Sequence, residues 1–139
     1  MGDIFADTAG WGHLVDPSQA YHRRAAIIYR RARQQGQKFI TTNYILTEVV
    51  ALLTSPLRIP RPAIVAFIAG LKASPHVEIV HVDAPLDEQA WQLLTQRQDK
   101  DWSLVDCASF VVMRQHNLLE AFTTDEHFEQ AGFVRLLKG

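Results

Sequence analysis

Four carboxylates stand where an acid could do chemistry: Asp7 closing the apolar run DIFAD, Glu48 inside NYILTEVVALL, Asp106 in SLVDCASF and Asp125 in TTDEHF. Brought together, such acids repel one another and raise each other's pKa unless a cation compensates. Oxygen ligands with no neighbouring thiol favour Mg²⁺ or Mn²⁺ over zinc. These ions keep waters and accept phosphate oxygens, so phosphodiester hydrolysis is the first chemistry to consider. One ion would activate a water, and a second, roughly 4 Å away, would stabilise the leaving oxygen. Each acid also has a structural reading. Asp106 can complete a capping box with Ser103, Asp125 can cap a short helix, and Asp7 can belong to a turn with Thr8. Glu48 is harder to explain that way, because a carboxylate among apolar neighbours is costly to bury without a partner, and exposure at a cleft removes the difficulty.

The elements that must position these acids follow from alternation along the chain. Short β-rich runs at Asp3 to Asp7, Lys38 to Thr42, Val77 to Val82, Leu118 to Phe122 and Phe133 to Leu137 predict five strands. Between them, Tyr21, Ala25, Ile28 and Ala32 recur at helical spacing up to Gly36, a C-terminal cap. Thr42 or Asn43 caps a helix to about Leu53, Pro62 opens one to about Ala73, and another runs from Leu86 to about Gln96. Ser103 opens a helix to about His116, and Asp125 precedes a last short one before Gly132. Strands separated by helices imply an α/β fold, a parallel sheet with helices on both faces. Ligands of such sheets bind beyond the carboxyl ends of the strands, where all four acids can meet. Asp83 also follows a strand, but one at the sheet margin, and is left out.

The chain has 139 residues, 47% of them hydrophobic, enough for one core, so a single domain over 1–139 is expected. With 14 Lys and Arg against 15 Asp and Glu, there is no global positive field, and a nucleic acid must be held by a local patch or by metal. The lone Cys107 cannot form an internal disulfide, which points to a reducing cytoplasm, and it reads as a core thiol. MGDIFADTAGW lacks a basic leader and apolar run, and nowhere do 18 apolar residues follow one another, so neither signal peptide nor membrane span is expected.

The segments IFADTAGW, TTNYILTEVV, DKDWSLVDCASFVVM and FTTDEHFEQAGF together resemble the four acidic motifs of the PIN domain, in order and over nearly the whole chain. Their layout is most similar to the VapC-type ribonucleases of toxin–antitoxin systems. The resemblance implies a three-layer α/β/α fold with strand order 3-2-1-4-5, and a metal-dependent endoribonuclease using Mg²⁺, with Mn²⁺ as substitute. It implies Asp7 and Asp106 as direct metal ligands, Glu48 and Asp125 acting more often through water, and Thr8, Ser103 and Thr123 assisting by hydrogen bonds. It also implies homodimers and a small antitoxin. Cleavage of single-stranded RNA to 5′-phosphate and 3′-hydroxyl ends is the expected reaction.

Arg23, Arg24, Arg30 and Arg31 offer a path for the RNA backbone, since steps of seven return to nearly the same helical face; a solvated helix face is the alternative. Arg58 and Arg61 carry the same ambiguity. Trp11 and Trp102 flank two acidic motifs and can stack on a base or pack in the core. Asp101 reads as a solvated loop residue. The six histidines show no pairing for metal-free acid–base catalysis; His127, two residues after Asp125, comes nearest, with a helix-surface role as its default. An aspartyl-phosphate phosphatase fails at Ala9, where its second acid belongs, and a response-regulator receiver lacks its acid cluster and lysine. The remaining alternative is a non-catalytic PIN-like scaffold that binds RNA or a protein.

Overall fold

The computed structural model describes residues 2–139. Their order is β1 (Ile4–Ala6), α1 (Thr8–Val15), α2 (His22–Gln34), β2 (Phe39–Thr42), α3 (Asn43–Thr54), α4 (Arg61–Ala73), β3 (Val77–Val80), α5 (Ala84–Gln96), α6 (Leu104–Gln115), β4 (Glu120–Phe122), α7 (His127–Gln130) and β5 (Val134–Arg135). The strands form one sheet of order β3-β2-β1-β4-β5, and every neighbouring pair is parallel. This is the α/β class and the strand order expected. Each strand is one or two residues shorter at one or both ends than its apolar run, because pairing stops before the hydrophobic pattern does.

Local signals set most of the helix boundaries. Thr42 Oγ1 accepts the N–H of Ile45 and caps α3, while Gly36, at φ +75°, takes the left-handed conformation that ends the α2 segment. Ser103 and Asp106 form the reciprocal capping box of α6. Helix α5 starts at Ala84, two residues before the expected Leu86, because Asp83 caps it and Pro85 fits its first turn.

Pattern reading does not supply α1. Its eight residues, TAGWGHLV, include two glycines that weaken a helical signal already brief. Packing explains them: a Cβ on Gly10 would lie 2.0 Å from the carbonyl oxygen of Phe122, and one on Gly12 would lie 2.9 Å from Leu52 Cδ2. Helix α1 therefore lies hard against β4 and close to α3.

The core forms on both faces of the sheet. Ile4 pairs with Phe39, and Ala6 with Phe122, so these two phenylalanines share a face, their ring centroids 5.3 Å apart. Trp11 packs against both, and against Tyr29 of α2 and Phe67 of α4. Phe5 points to the opposite face and meets Phe128 of α7, which packs on Phe110 of α6. Trp11 and Trp102 are both buried, so neither is free to stack on a base. Their indole N–H groups are instead held by side chains, that of Trp11 by Thr41 Oγ1 at 3.4 Å in the core and that of Trp102 by Gln130 Oε1 at 3.1 Å. Among the described residues no helix is long and apolar enough to cross a membrane.

Candidate active site

Strand order reverses between β1 and β4, and the space beyond their carboxyl ends is the switch-point crevice of an open α/β sheet. Asp7 follows β1 directly, and its N–H extends the ladder to Phe122 O at 3.2 Å. The residue is only 5% exposed. Its Oδ2 accepts a hydrogen bond of 2.8 Å from Thr123 Oγ1. The same threonine oxygen accepts the N–H of Asp125 at 3.0 Å. One hydroxyl thus ties together acids from opposite ends of the chain.

Glu48 projects from the second turn of α3 and is half-buried rather than open to solvent. Its partner comes from another element: Thr8 Oγ1, at the start of α1, donates to Glu48 Oε1 at 2.6 Å. Asp106 enters from the first turn of α6, where Ser103 N–H donates to its Oδ2 at 3.0 Å and Ser103 Oγ accepts its own N–H at 2.9 Å. Asp106 thus completes the capping box and still lies at the crevice, within the field of Asp7 and Glu48. Asp125 likewise holds its own turn, its Oδ1 accepting the N–H of His127 at 2.9 Å, within the same field.

Burial pushes the Asp7 carboxyl up to about 7, with repulsion from Asp106 and Asp125 adding to it and the Thr123 hydrogen bond opposing it. Burial likewise raises Glu48, opposed by the Thr8 hydrogen bond and aided by the same two acids. Asp106 and Asp125 thus act on both of the others, and the four acids share one field. Among the described residues, no Lys or Arg forms an ion pair with any of them. Uncompensated, partly desolvated carboxylates of this kind fit a hard divalent cation.

The basic group that does reach the acids is His127. Its Nδ1 lies 3.0 Å from Asp106 Oδ2 and 3.4 Å from Asp125 Oδ1. Burial works against its charge, yet the Asp106 hydrogen bond and the nearby Asp125, Asp106 and Glu126 carboxylates hold it above the usual histidine value. A helix-surface role is thereby corrected. The available signal was its place two residues after Asp125: once that side chain caps the α7 turn, position 127 is folded back toward the acids. Arg135 is a second unforeseen participant. It donates from Nη1 to Thr124 O at 2.8 Å and pairs with Glu129 at 3.1 Å, bracing the loop that carries Asp125.

The α2 arginines do not lie together. Arg24 Nε donates to Leu136 O at 3.2 Å, beside the tail whose Leu137 N–H donates to Thr123 O at 3.1 Å. Arg30 shares a cleft with Leu14 and His76, and Arg31 one that runs from Ile4, Gln37 and Glu120, near the starts of the strands, to Leu136. Asp83 sits exposed at the N-cap of α5, beyond the marginal strand, and Asp101 is exposed. Cys107 is buried in α6, and burial, with Asp106 nearby, raises its thiol to about 11, which suits an inert core residue.

Similarity to known proteins runs over the same span. The PIN domain family model matches residues 4–134. The 23S rRNA-specific endonuclease VapC20 of Mycobacterium tuberculosis, from two strains, is 35% identical over 133 residues, covering 96% of this chain and 97% of that protein. The crystal structure of M. tuberculosis VapC20, a sarcin-ricin loop cleaving toxin, aligns with a TM-score of 0.83 at 34% identity, covering 99% of this chain and all of that one. With this match added to the strand order and the converging acids, the chain belongs to the PIN domain family, within its VapC-type group.

Proposed function

We propose that the chain is a divalent-metal-dependent endoribonuclease, the toxin of a toxin–antitoxin pair, that hydrolyses a phosphodiester bond in an exposed loop of structured RNA. The observation that carries this reading is the shared field of Asp7, Glu48, Asp106 and Asp125 at the β1/β4 switch point, with no lysine or arginine paired to them among the described residues. Asp7 and Asp106 would hold Mg²⁺ or Mn²⁺ directly, with Glu48 and Asp125 completing the ligand field through water or directly. When bound, the ion supplies Lewis acidity toward the phosphate and the attacking water.

The chain's own contribution is orientation. Thr123 fixes Asp7 and the backbone of Asp125, Thr8 fixes Glu48, and the Ser103 amide fixes Asp106. Such supporting hydrogen bonds commonly matter tenfold or more in metal sites. Hydrolysis by water leaves 5′-phosphate and 3′-hydroxyl ends and has no need of the 2′-hydroxyl.

The M. tuberculosis relative cleaves the sarcin-ricin loop of 23S rRNA, and the same loop is the substrate proposed for this chain, supported by the end-to-end alignment. A small antitoxin, a homodimeric state and a cytoplasmic location belong to the same proposal. The buried lone Cys107 agrees with a reducing compartment.

The test is cleavage of a sarcin-ricin stem-loop RNA and a mixed-sequence single strand by wild type and Asp7→Asn, with Mg²⁺, Mn²⁺ or EDTA. Metal-dependent cleavage with 5′-phosphate ends, lost in Asp7→Asn, is the expected result. EDTA-resistant cleavage with cyclic phosphate ends, or full turnover by Asp7→Asn, would overturn the reading.

A further inference from the structure

An all-oxygen metal site leaves one neighbour, His127, with no role but its hydrogen bond to Asp106. His127 Nδ1 stands 3.0 Å from Asp106 Oδ2 and 3.4 Å from Asp125 Oδ1, and one ligand atom from each of the three residues falls within 4.8 Å of the others. Ligand atoms at adjacent corners of an octahedron with bonds of about 2.1 Å lie about 3.0 Å apart. The ring nitrogen already holds nearly that spacing from both oxygens.

Backbone geometry keeps the three donors in place. The His127 N–H bonds to Asp125 Oδ1 at 2.9 Å, so ring and carboxylate are set by a single turn of chain. Asp125 is fixed in turn by Thr123, and Asp106 by the Ser103 amide from the other side. Phe128, the next residue, is fully buried against Phe5 and Phe110, which anchors the turn that presents the imidazole. Asp7, 5% exposed and with no ion-pair partner among the described residues, lies outside this group of three but within the field of Asp106 and Asp125, so it adds a further uncompensated carboxylate beside them.

We propose that His127 is itself a metal ligand, and that with Asp106 and Asp125 it forms a mixed nitrogen and oxygen donor set that selects Mn²⁺ over Mg²⁺. The inference rests on the metal-dependent reading above and adds to it a residue and a preference. Mg²⁺ takes oxygen donors and dehydrates reluctantly, so an imidazole gives it little, whereas a transition-metal ion gains from nitrogen.

The experiment is calorimetric titration of the whole protein with MnCl₂ and, separately, MgCl₂. Wild type is compared with His127→Ala, with His127→Gln, which keeps a hydrogen-bond donor near Asp106, and with Glu126→Gln as a charge control. Both His127 variants are expected to lose about 10-fold to 100-fold in Mn²⁺ affinity and little for Mg²⁺, while Glu126→Gln preserves the wild-type ratio. Pulsed electron paramagnetic resonance of the Mn²⁺-loaded wild type is expected to show nitrogen modulation that His127→Gln abolishes. Equal loss for both ions, a gain for both, or Mn²⁺ spectra without nitrogen modulation would overturn the assignment and leave the nuclease reading standing. Failure of the wild type to bind either ion, with cleavage persisting in EDTA, would instead remove the reading beneath it.

Discussion

A carboxylate buried to 5% exposure, held by one threonine hydroxyl, can lower its energy by taking a proton or by taking a cation. For Asp7 the proton route is measurable in metal-free protein. Its folded pKa is raised from 3.8 to about 7, with burial as the main cause. The stability linked to its protonation is therefore fully present below about pH 4 and is lost as the pH rises through 7, a loss of order 4 kcal/mol at neutral pH. Asp7→Asn removes the ionisation, so in EDTA its melting temperature is expected to exceed that of wild type at pH 8, with the gap closing toward pH 4; a gap independent of pH would refute the linkage. The same variant is expected to be silent in cleavage. Thr123→Val keeps the side-chain volume but deletes the hydroxyl shared by Asp7 and the Asp125 amide. It is expected to cost roughly 1–3 kcal/mol in stability and to slow cleavage about 10-fold to 100-fold, as read by thermal melting and single-turnover kinetics; an unchanged rate would reduce Thr123 to a structural bond. Glu48 stood out at this scale because a carboxylate among apolar neighbours is costly to bury, whereas Asp7, Asp106 and Asp125 each fit a turn or a cap and stood out only as a set, through the resemblance of the four motifs. His127 was only half legible: its place two residues after Asp125 was visible, but its approach to Asp106 depends on how α7 packs on α6, which the spacing does not specify.

Strands and capped helices were legible because their signals are local: short apolar runs, the Ser103 to Asp106 capping box, and a left-handed Gly36. Helix α1 was illegible because what determines it is not local. Its glycines read as breakers in sequence, and they are needed because β4 passes so close that Gly10 has no room for a methyl group. The atom in the way is the Phe122 carbonyl oxygen, which also accepts the Asp7 N–H, so the contact lies at the root of the site. Gly10→Ala is accordingly expected to destabilise the protein by about 3 kcal/mol or more and to depress cleavage, because α1 can relieve the overlap only by shifting Thr8, β4 or both. Gly12→Ala meets only the tip of Leu52, a side chain that can turn aside, and is expected to cost clearly less. Comparing the two variants by urea unfolding tests the assignment. Equal costs, or a gain at both positions from the better helix propensity of alanine, would mean that contact with β4 is not what requires Gly10.

For the whole molecule the question is how a chain of net charge −1, with an acidic site, holds a polyanion. Seven-residue spacing places Arg23 with Arg30, and Arg24 with Arg31, on nearly the same face of α2, but it also separates the members of each pair by about 10 Å along the axis. A shared face is legible in sequence; which end of the helix lies near the acids depends on topology. In the fold, Arg24 in the first turn of α2 holds the Leu136 carbonyl of the tail that bonds to Thr123, while Arg30, lying further along the helix, lines a cleft with His76 before β3, and Arg31 lines one that extends from the starts of β1 and β4 to Leu136. An RNA strand whose scissile phosphate sits at the acids would therefore pass Arg23 and Arg24 and miss the other two. For single strands, each neutralised phosphate contributes about −0.7 to the slope of log affinity against log salt. In an Asp7→Asn background, which leaves the RNA intact, replacing Arg23 and Arg24 by Ala is expected to weaken binding and flatten that slope by about 1.4. Replacing Arg30 and Arg31 is expected to leave both quantities near wild type. The reverse pattern, or equal flattening by both pairs, would route the RNA along the whole length of α2 and away from the path that the position of the acids implies.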